Sequence, residues 1–239
     1  MSEPIWIWQQ IVSPHMAALA AALAGMGREV VYVAEKEMSA NRQAQGWRAP
    51  ELGSATLRLA PDAGAVVELV RRAPAGAVHL CQGLRNNGVA GVAERALATR
   101  RLRQWVVMET VEDAGYRGVL KRLEYRRLVA ASRTRLEGAL AIGHATPQWL
   151  VKRGMPEAHV FPFAYFLAQV PASREQEALR GGPVRIIFVG QLIPRKQLGQ
   201  LIDALAAITD LAFELLVVGA GALEGELRGQ ADRQLPGRV

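Results

Sequence analysis

Cysteine is almost missing from this chain: one residue, Cys81, among 239. A lone thiol excludes an internal disulfide and suits a reducing compartment. Cys81 closes an apolar run, where an inert buried thiol is expected. Histidine is scarce too, with four residues and no Cys/His cluster at ligand spacing, so no metal site is expected. Long hydrophobic runs are lacking. The longest uncharged small-apolar stretch, Met16 to Gly27, is too short to cross a bilayer. The first ten residues, MSEPIWIWQQ, have neither the basic nor the apolar part of a secretory signal, so a cytoplasmic protein is expected. No RNA or DNA motif is visible, and aromatics do not interleave with the basic residues.

Half of the residues are hydrophobic, enough for a sizeable core and one to two domains. The net charge is +7, which favours an anionic partner without naming it. The excess is concentrated. Arg117, Lys121, Arg122, Arg126, Arg127, Arg133 and Arg135 stand against one acid, Glu124, between Tyr116 and Arg135. Val119, Leu120, Leu123 and Ala131 share one arc of the helix expected there, with Arg127 inside the arc. Such a run is ordinarily a solvated face. The alternative is a surface for an anionic membrane or an acceptor, with Arg117, Lys121, Arg122 and Arg126 as its contacts.

Strand and helix signals alternate. Strands are expected at Ile5–Gln9, Val30–Ala34, Ala55–Leu59, Ala77–Cys81, Gln104–Glu109, Gly138–Ile142 and His159–Phe161. Helices are expected at Pro14–Gly25, Ala63–Arg72, Gly88–Thr99, Gly118–Arg133 and Thr146–Lys152. Ser13 is a suitable N-cap, and Pro14 suits a first helical turn. This alternation predicts an α/β protein with a mostly parallel sheet. Three prolines, a charged patch and Gly181-Gly182 break the rhythm between Pro162 and Pro183. The expected organisation is a first α/β domain over 1–165, a linker over 166–183, and a second α/β domain over 184–239.

The second domain carries the sharpest signal. An apolar run from Val184 ends in Gly190, and a loop bearing Arg195 and Lys196 leads into a helix. A second apolar run ends in the Gly219 and Gly221 turn. Ligands of open α/β sheets bind at carboxyl strand ends, where an anion also meets a helix N-terminus. Gly-x-Gly alone is weak evidence for a nucleotide, since these glycines could serve only the turn.

RIIFVGQLIPRKQLGQLIDALA followed by FELLVVGAGALEGEL resembles the start of the C-terminal domain of family 4 glycosyltransferases. SPHMAALAAALAGMGREVVYVAE and LAIGHATPQWLVKRGMPEAHVFPFAYF resemble parts of their N-terminal domain. The resemblance implies a glycosyltransferase-B fold, two Rossmann-like domains facing each other across a cleft, with the second domain here incomplete. It implies a retaining, metal-independent transfer of sugar from a nucleotide sugar to a glycan or lipid-linked acceptor, as in cell-surface polysaccharide synthesis. It also implies a chain that is a fragment, inactive alone, since the family's paired-glutamate motif would lie beyond Val239.

Carried over residue by residue, Lys196 matches the phosphate-binding lysine and Arg195 its basic neighbour. Gly190 matches the glycine before them. Gln191 stands where the family commonly has arginine, and Gln197 where it commonly has glycine. Gly219 and Gly221 are the nucleotide-proximal turn. On the acceptor side, Glu109 ends the strand whose tip lines the cleft in the family. A carboxylate there can orient or deprotonate an acceptor hydroxyl, or simply cap a helix. His15 lies in the loop after the first strand, facing the cleft or packing at a helix start. His144 ends a strand at the same side, and His79 is expected in the core. Two other classes remain: a non-catalytic basic α/β protein that binds nucleic acid or membrane, and a nucleotide-sugar epimerase of the same architecture.

Overall fold

The computed structural model describes residues 3–44, 47–85, 87–167, 182–208 and 210–239. The chain divides into two compact units, Met1–Val170 and Pro171–Val239. Most of the linker expected over 166–183 lies outside the described residues.

The first unit is a seven-stranded parallel sheet. Its strands are β1 (Ile5–Ile11), β2 (Val30–Lys36), β3 (Thr56–Leu59), β4 (Val78–Gln82), β5 (Arg103–Glu109), β6 (Leu136–Ile142) and β7 (Val160–Phe163). Their order is β3-β2-β1-β4-β5-β6-β7. The direction of winding therefore reverses between β1 and β4. The helices are α1 (Pro14–Gly25), the short α2 (Ala40–Ala44), α3 (Ala63–Arg72), α4 (Gly88–Thr99), α5 (Gly118–Ser132) and α6 (Thr146–Val151).

Both faces of this sheet are covered, as a parallel sheet requires. Trp6, Trp8 and Val33 pack against Val66 and Val70 of α3 and Ala93 and Leu97 of α4. On the other face Ile7, Tyr32 and Val107 meet Met16, Ala17 and Ala20 of α1. Val106 and Met108 meet Tyr125 and Val129 of α5 and Leu150 of α6. Each large apolar side chain buried this way contributes roughly 2 kcal/mol. His79 is fully buried, and the indole N–H of Trp8 donates to its Nδ1 at 3.1 Å. Burial, with a smaller effect of Arg100, lowers its pKa to about 4. Cys81 is buried, which pushes its thiol up.

The second unit is smaller. Strands β8 (Val184–Val189) and β9 (Phe213–Val218) pair in parallel with each other, in a sheet of their own. Leu215 and Phe213 pack under Ile202 and Leu205 of α7 (Leu198–Ala206) and Leu227 of α8 (Glu224–Gln234). The other face is bare, with Ile187 61% and Val189 70% exposed.

Candidate functional site

The first unit has a cleft of about 620 Å³ outside the carboxyl ends of β1, β4 and β5. It straddles the reversal between β1 and β4, the crevice where open α/β sheets bind ligands. Its lining is rich in amides: Gln9 and Gln10 from β1, Gln82 from β4, and Asn87 at the head of α4. His15, Arg42, Arg85, Glu109 and Tyr165 add ionisable groups.

The turn that presents His15 is built locally. Ser13 Oγ accepts from the Met16 amide at 3.3 Å and caps α1. The Tyr32 hydroxyl accepts from the Ser13 amide at 3.1 Å and donates to the Ile11 carbonyl at 3.3 Å. A buried phenol on β2 therefore clamps the loop after β1.

Glu109 ends β5, and its carboxylate accepts from the Tyr165 hydroxyl. The Tyr165 ring stacks on His15, with centroids 4.1 Å apart and planes 21° apart. Burial first, then the hydrogen bond and charge of Glu109, raise the Tyr165 pKa. The next carboxylates have structural work. Glu112 accepts from the Ala114 amide at 3.0 Å. Asp113 accepts from the Trp149 indole at 3.2 Å and pairs with the buried Arg153. Thr110 hydrogen-bonds Thr146 Oγ1 through both its amide, at 3.0 Å, and its hydroxyl, at 2.8 Å, so the end of β5 is tied to the first turn of α6.

Sequence reasoning missed Tyr165, Arg42 and Arg85. Arg85 pairs bidentately with Glu124 of α5, at 2.9 and 3.1 Å, and lies over Tyr125. Arg42 belongs to the unexpected α2 and lies over the half-exposed Trp47, 5.4 Å from its ring centre. His144 lines a neighbouring groove with Pro147, Phe163 and Tyr165.

The second unit has its own corner. Gly190 follows β8, and a 3-10 turn, Pro194–Lys196, presents exposed Arg195 and Lys196 ahead of α7. The Lys196 chain passes the Gly190 Cα, its Cδ 3.9 Å from where a Cβ would stand. Gln191 is exposed beside them. Gly219 and Gly221 have a steric reason: a Cβ on Gly219 would fall 1.8 Å from the Gly190 carbonyl oxygen, and one on Gly221 2.4 Å from that of Leu192. The two loops also exchange backbone bonds, Gly190 N–H to Val218 and Leu192 N–H to Ala220, both 3.0 Å. Gln197 has φ 55 and ψ 33, the left-handed conformation glycine adopts most cheaply.

The basic helix α5 is turned the opposite way from a simple core helix. Its buried side is Gly118, Tyr125, Val129 and Ser132. The apolar arc faces out, with Leu120 77%, Val119 51% and Leu123 45% exposed, beside Tyr116. Arg126 and Arg127 are exposed on it. Arg117 lies over Tyr116. Lys121 and Arg122 instead donate to the carbonyls of Glu112, Asp113 and Gly115.

Among the described residues no group of His, Cys, Asp and Glu is arranged to hold a metal ion. No helix there is long and apolar enough to cross a membrane.

No protein-family model matches the chain, and no curated protein matches it. Solved structures match it in fold. HepE of Anabaena in complex with UDP is 17% identical with a TM-score of 0.62, covering 100% of this chain and 68% of that one. WaaB, a lipopolysaccharide outer core galactosyltransferase, is 13% identical with a TM-score of 0.59, covering 100% and 67%. UDP-N-acetylglucosamine 2-epimerase from Rickettsia bellii is 14% identical with a TM-score of 0.50, covering 100% and 68%. The likeness is one of fold: Rossmann-like α/β, of the glycosyltransferase-B type.

Proposed function

We propose that this protein is a retaining glycosyltransferase of family 4 that moves a sugar from a nucleotide-sugar donor to a glycan or lipid-linked acceptor in cell-surface polysaccharide synthesis. The observation that carries this reading is the cation pair Arg195 and Lys196 at the carboxyl end of β8, in a chain whose whole length follows the fold of HepE and WaaB.

Departure of a nucleoside diphosphate builds negative charge on the leaving phosphate. Arg195 and Lys196 supply the opposing charge, in place of a metal ion, and Gln191 adds a neutral donor. Gly219 and Gly221 let the two strand-end loops close on each other, and the nucleotide lies beside that turn. The amide-rich cleft of the first unit takes the acceptor, because Gln, Asn and Ser side chains match neutral hydroxyls as both donors and acceptors. Glu109 accepts a hydrogen bond from the reacting hydroxyl, with His15 beside it.

The outward arc of α5 supports a peripheral site on the cytoplasmic face of an anionic membrane. Exposed Leu120 and Leu123 enter the headgroup boundary while Arg117, Arg126 and Arg127 meet lipid phosphates. Vesicle binding that needs anionic lipid and falls with salt is the expected result.

The epimerase likeness favours a second reading, because an epimerase needs the same donor corner and no acceptor. Product analysis separates the two. Sugar transferred to an added glycan or lipid acceptor supports the transferase, and a changed sugar nucleotide from donor alone supports the epimerase.

A further inference from the structure

One side chain in the first unit's cleft ties together residues from distant parts of the chain. His15 lies in the first turn of α1, Glu109 ends β5, and Tyr165 lies just past β7. The Tyr165 ring stacks on His15 at 4.1 Å between centroids, and its hydroxyl donates to Glu109 Oε1. His15 Nδ1 is buried with no hydrogen-bond partner among the described residues, so no side-chain bond through that nitrogen sets the ring plane. The His15 ring is packed face to face with that of Tyr165.

We infer that Tyr165 is a positioning residue, which holds the His15 ring and the Glu109 carboxylate as a fixed pair before the acceptor hydroxyl. The inference rests on the proposal that this cleft takes the acceptor. A carboxylate has about four lone-pair sites, and the phenol occupies Oε1, leaving Oε2 to receive the substrate. A phenol–carboxylate bond is charge-assisted and directional, so it restricts the carboxylate's rotation. Burial and the Glu109 charge keep the phenol protonated, and it stays a donor across the working pH range. Placement of this kind acts on rate more than on affinity, because misplacing a reacting group costs turnover even where substrate still binds.

The test uses Tyr165→Phe, which keeps the ring and removes the hydroxyl, Tyr165→Leu, which removes both, and Glu109→Gln. His15 ring-proton NMR shifts report the stack without substrate. They are displaced by the tyrosine ring current in wild type and in Tyr165→Phe, and return toward ordinary values in Tyr165→Leu. Ultraviolet titration reports the hydroxyl bond: the Tyr165 phenol, identified by its loss in Tyr165→Phe, ionises at lower pH in Glu109→Gln. In transfer assays of the intact enzyme, Tyr165→Phe lowers kcat about tenfold with KM within about twofold, and Tyr165→Leu lowers kcat further. Identical His15 shifts in wild type and Tyr165→Leu overturn the inference, as does wild-type kcat in Tyr165→Phe. If the shifts behave as expected but the intact enzyme transfers no sugar to any acceptor, the proposed function fails and the role with it, while the stack stands.

Discussion

The two units present polar groups at their carboxyl strand ends in opposite ways. In the first, side chains hold each other: Tyr165 to Glu109 and His15, Arg85 to Glu124, Thr110 to Thr146. In the second, backbone does the holding. Gly190 and Leu192 interlock with Gly219 and Gly221, and Arg195 and Lys196 stand exposed above them. A corner held by backbone leaves its charge available to an incoming anion. A cleft held by side chains has its orientations set before a neutral ligand arrives, which suits weak hydroxyl contacts. The difference teaches that preorganisation is carried by different parts of the chain, and on the proposed reading the split follows the charge of the ligand.

The largest expected effect probes a side chain of the first unit that is only half held. Glu94 of α4 is 1% exposed; Arg135 donates to its Oε2 at 3.1 Å, and its Oε1 has no partner among the described residues. Burial raises its pKa to about 7 against the lowering charge of Arg135. The folded state then holds a proton that the unfolded chain releases from about pH 4.5, so this group's contribution to stability falls as pH rises to about 7 and is level above. Glu94→Gln removes that loss. Its unfolding free energy should gain about 3 kcal/mol on wild type between pH 4.5 and 7. His79, lowered to about 4, acts in the opposite sense below pH 6.5 in both proteins and cancels in the difference. Parallel urea-denaturation curves across that range would show Glu94 to be ordinary.

Gly219→Ala tests the backbone side of the comparison. Its Cβ would strike the Gly190 carbonyl oxygen, and the strain should cost about 2 to 3 kcal/mol. All five tryptophans lie in the first unit, so loss should appear in circular dichroism of the second unit while the tryptophan fluorescence transition stays put. A coincident shift of both transitions would contradict separate holding.

Lys196→Ala should weaken nucleotide-sugar binding by about 1.5 to 3 kcal/mol, the range for a hydrogen bond to a charged group. Arg195→Ala should cost the same or less. Calorimetric titration measures both, and unchanged affinity in both removes the pair from the donor site. The smallest effect is at Gln197. Its left-handed backbone costs more than glycine's extra chain entropy, so Gln197→Gly should stabilise by about 0.5 kcal/mol, read from the denaturation midpoint.

The fold was legible because its signals are local. The seven strands and five of the helices of the first unit follow apolar runs and caps such as Ser13, and their ends shift by two residues at most. The five-residue helix α2 lacks any such periodicity and was missed, and Arg42 with it. The place of Lys196 was legible because a loop between a strand and a helix announces itself along the chain. Tyr165 could not be, because its partners lie 56 and 150 residues away and meet it only through sheet order. The α5 arc was read correctly as an arc, but periodicity does not say which side faces the sheet. Tyr125 and Val129 settle that: they pack on Val106 and Met108 of β5, which leaves Leu120 and Leu123 pointing out.

The central claim, that the second unit's corner takes a nucleotide diphosphate while the first unit's cleft takes a sugar hydroxyl, is tested most directly by amide NMR of the protein titrated with UDP and UDP-glucose. The account predicts shifts centred on Gly190–Lys196 and Gly219–Gly221, reduced in Lys196→Ala. Shifts confined to the β1–β4 cleft around Gln10, Gly83 and Asn87 would contradict it.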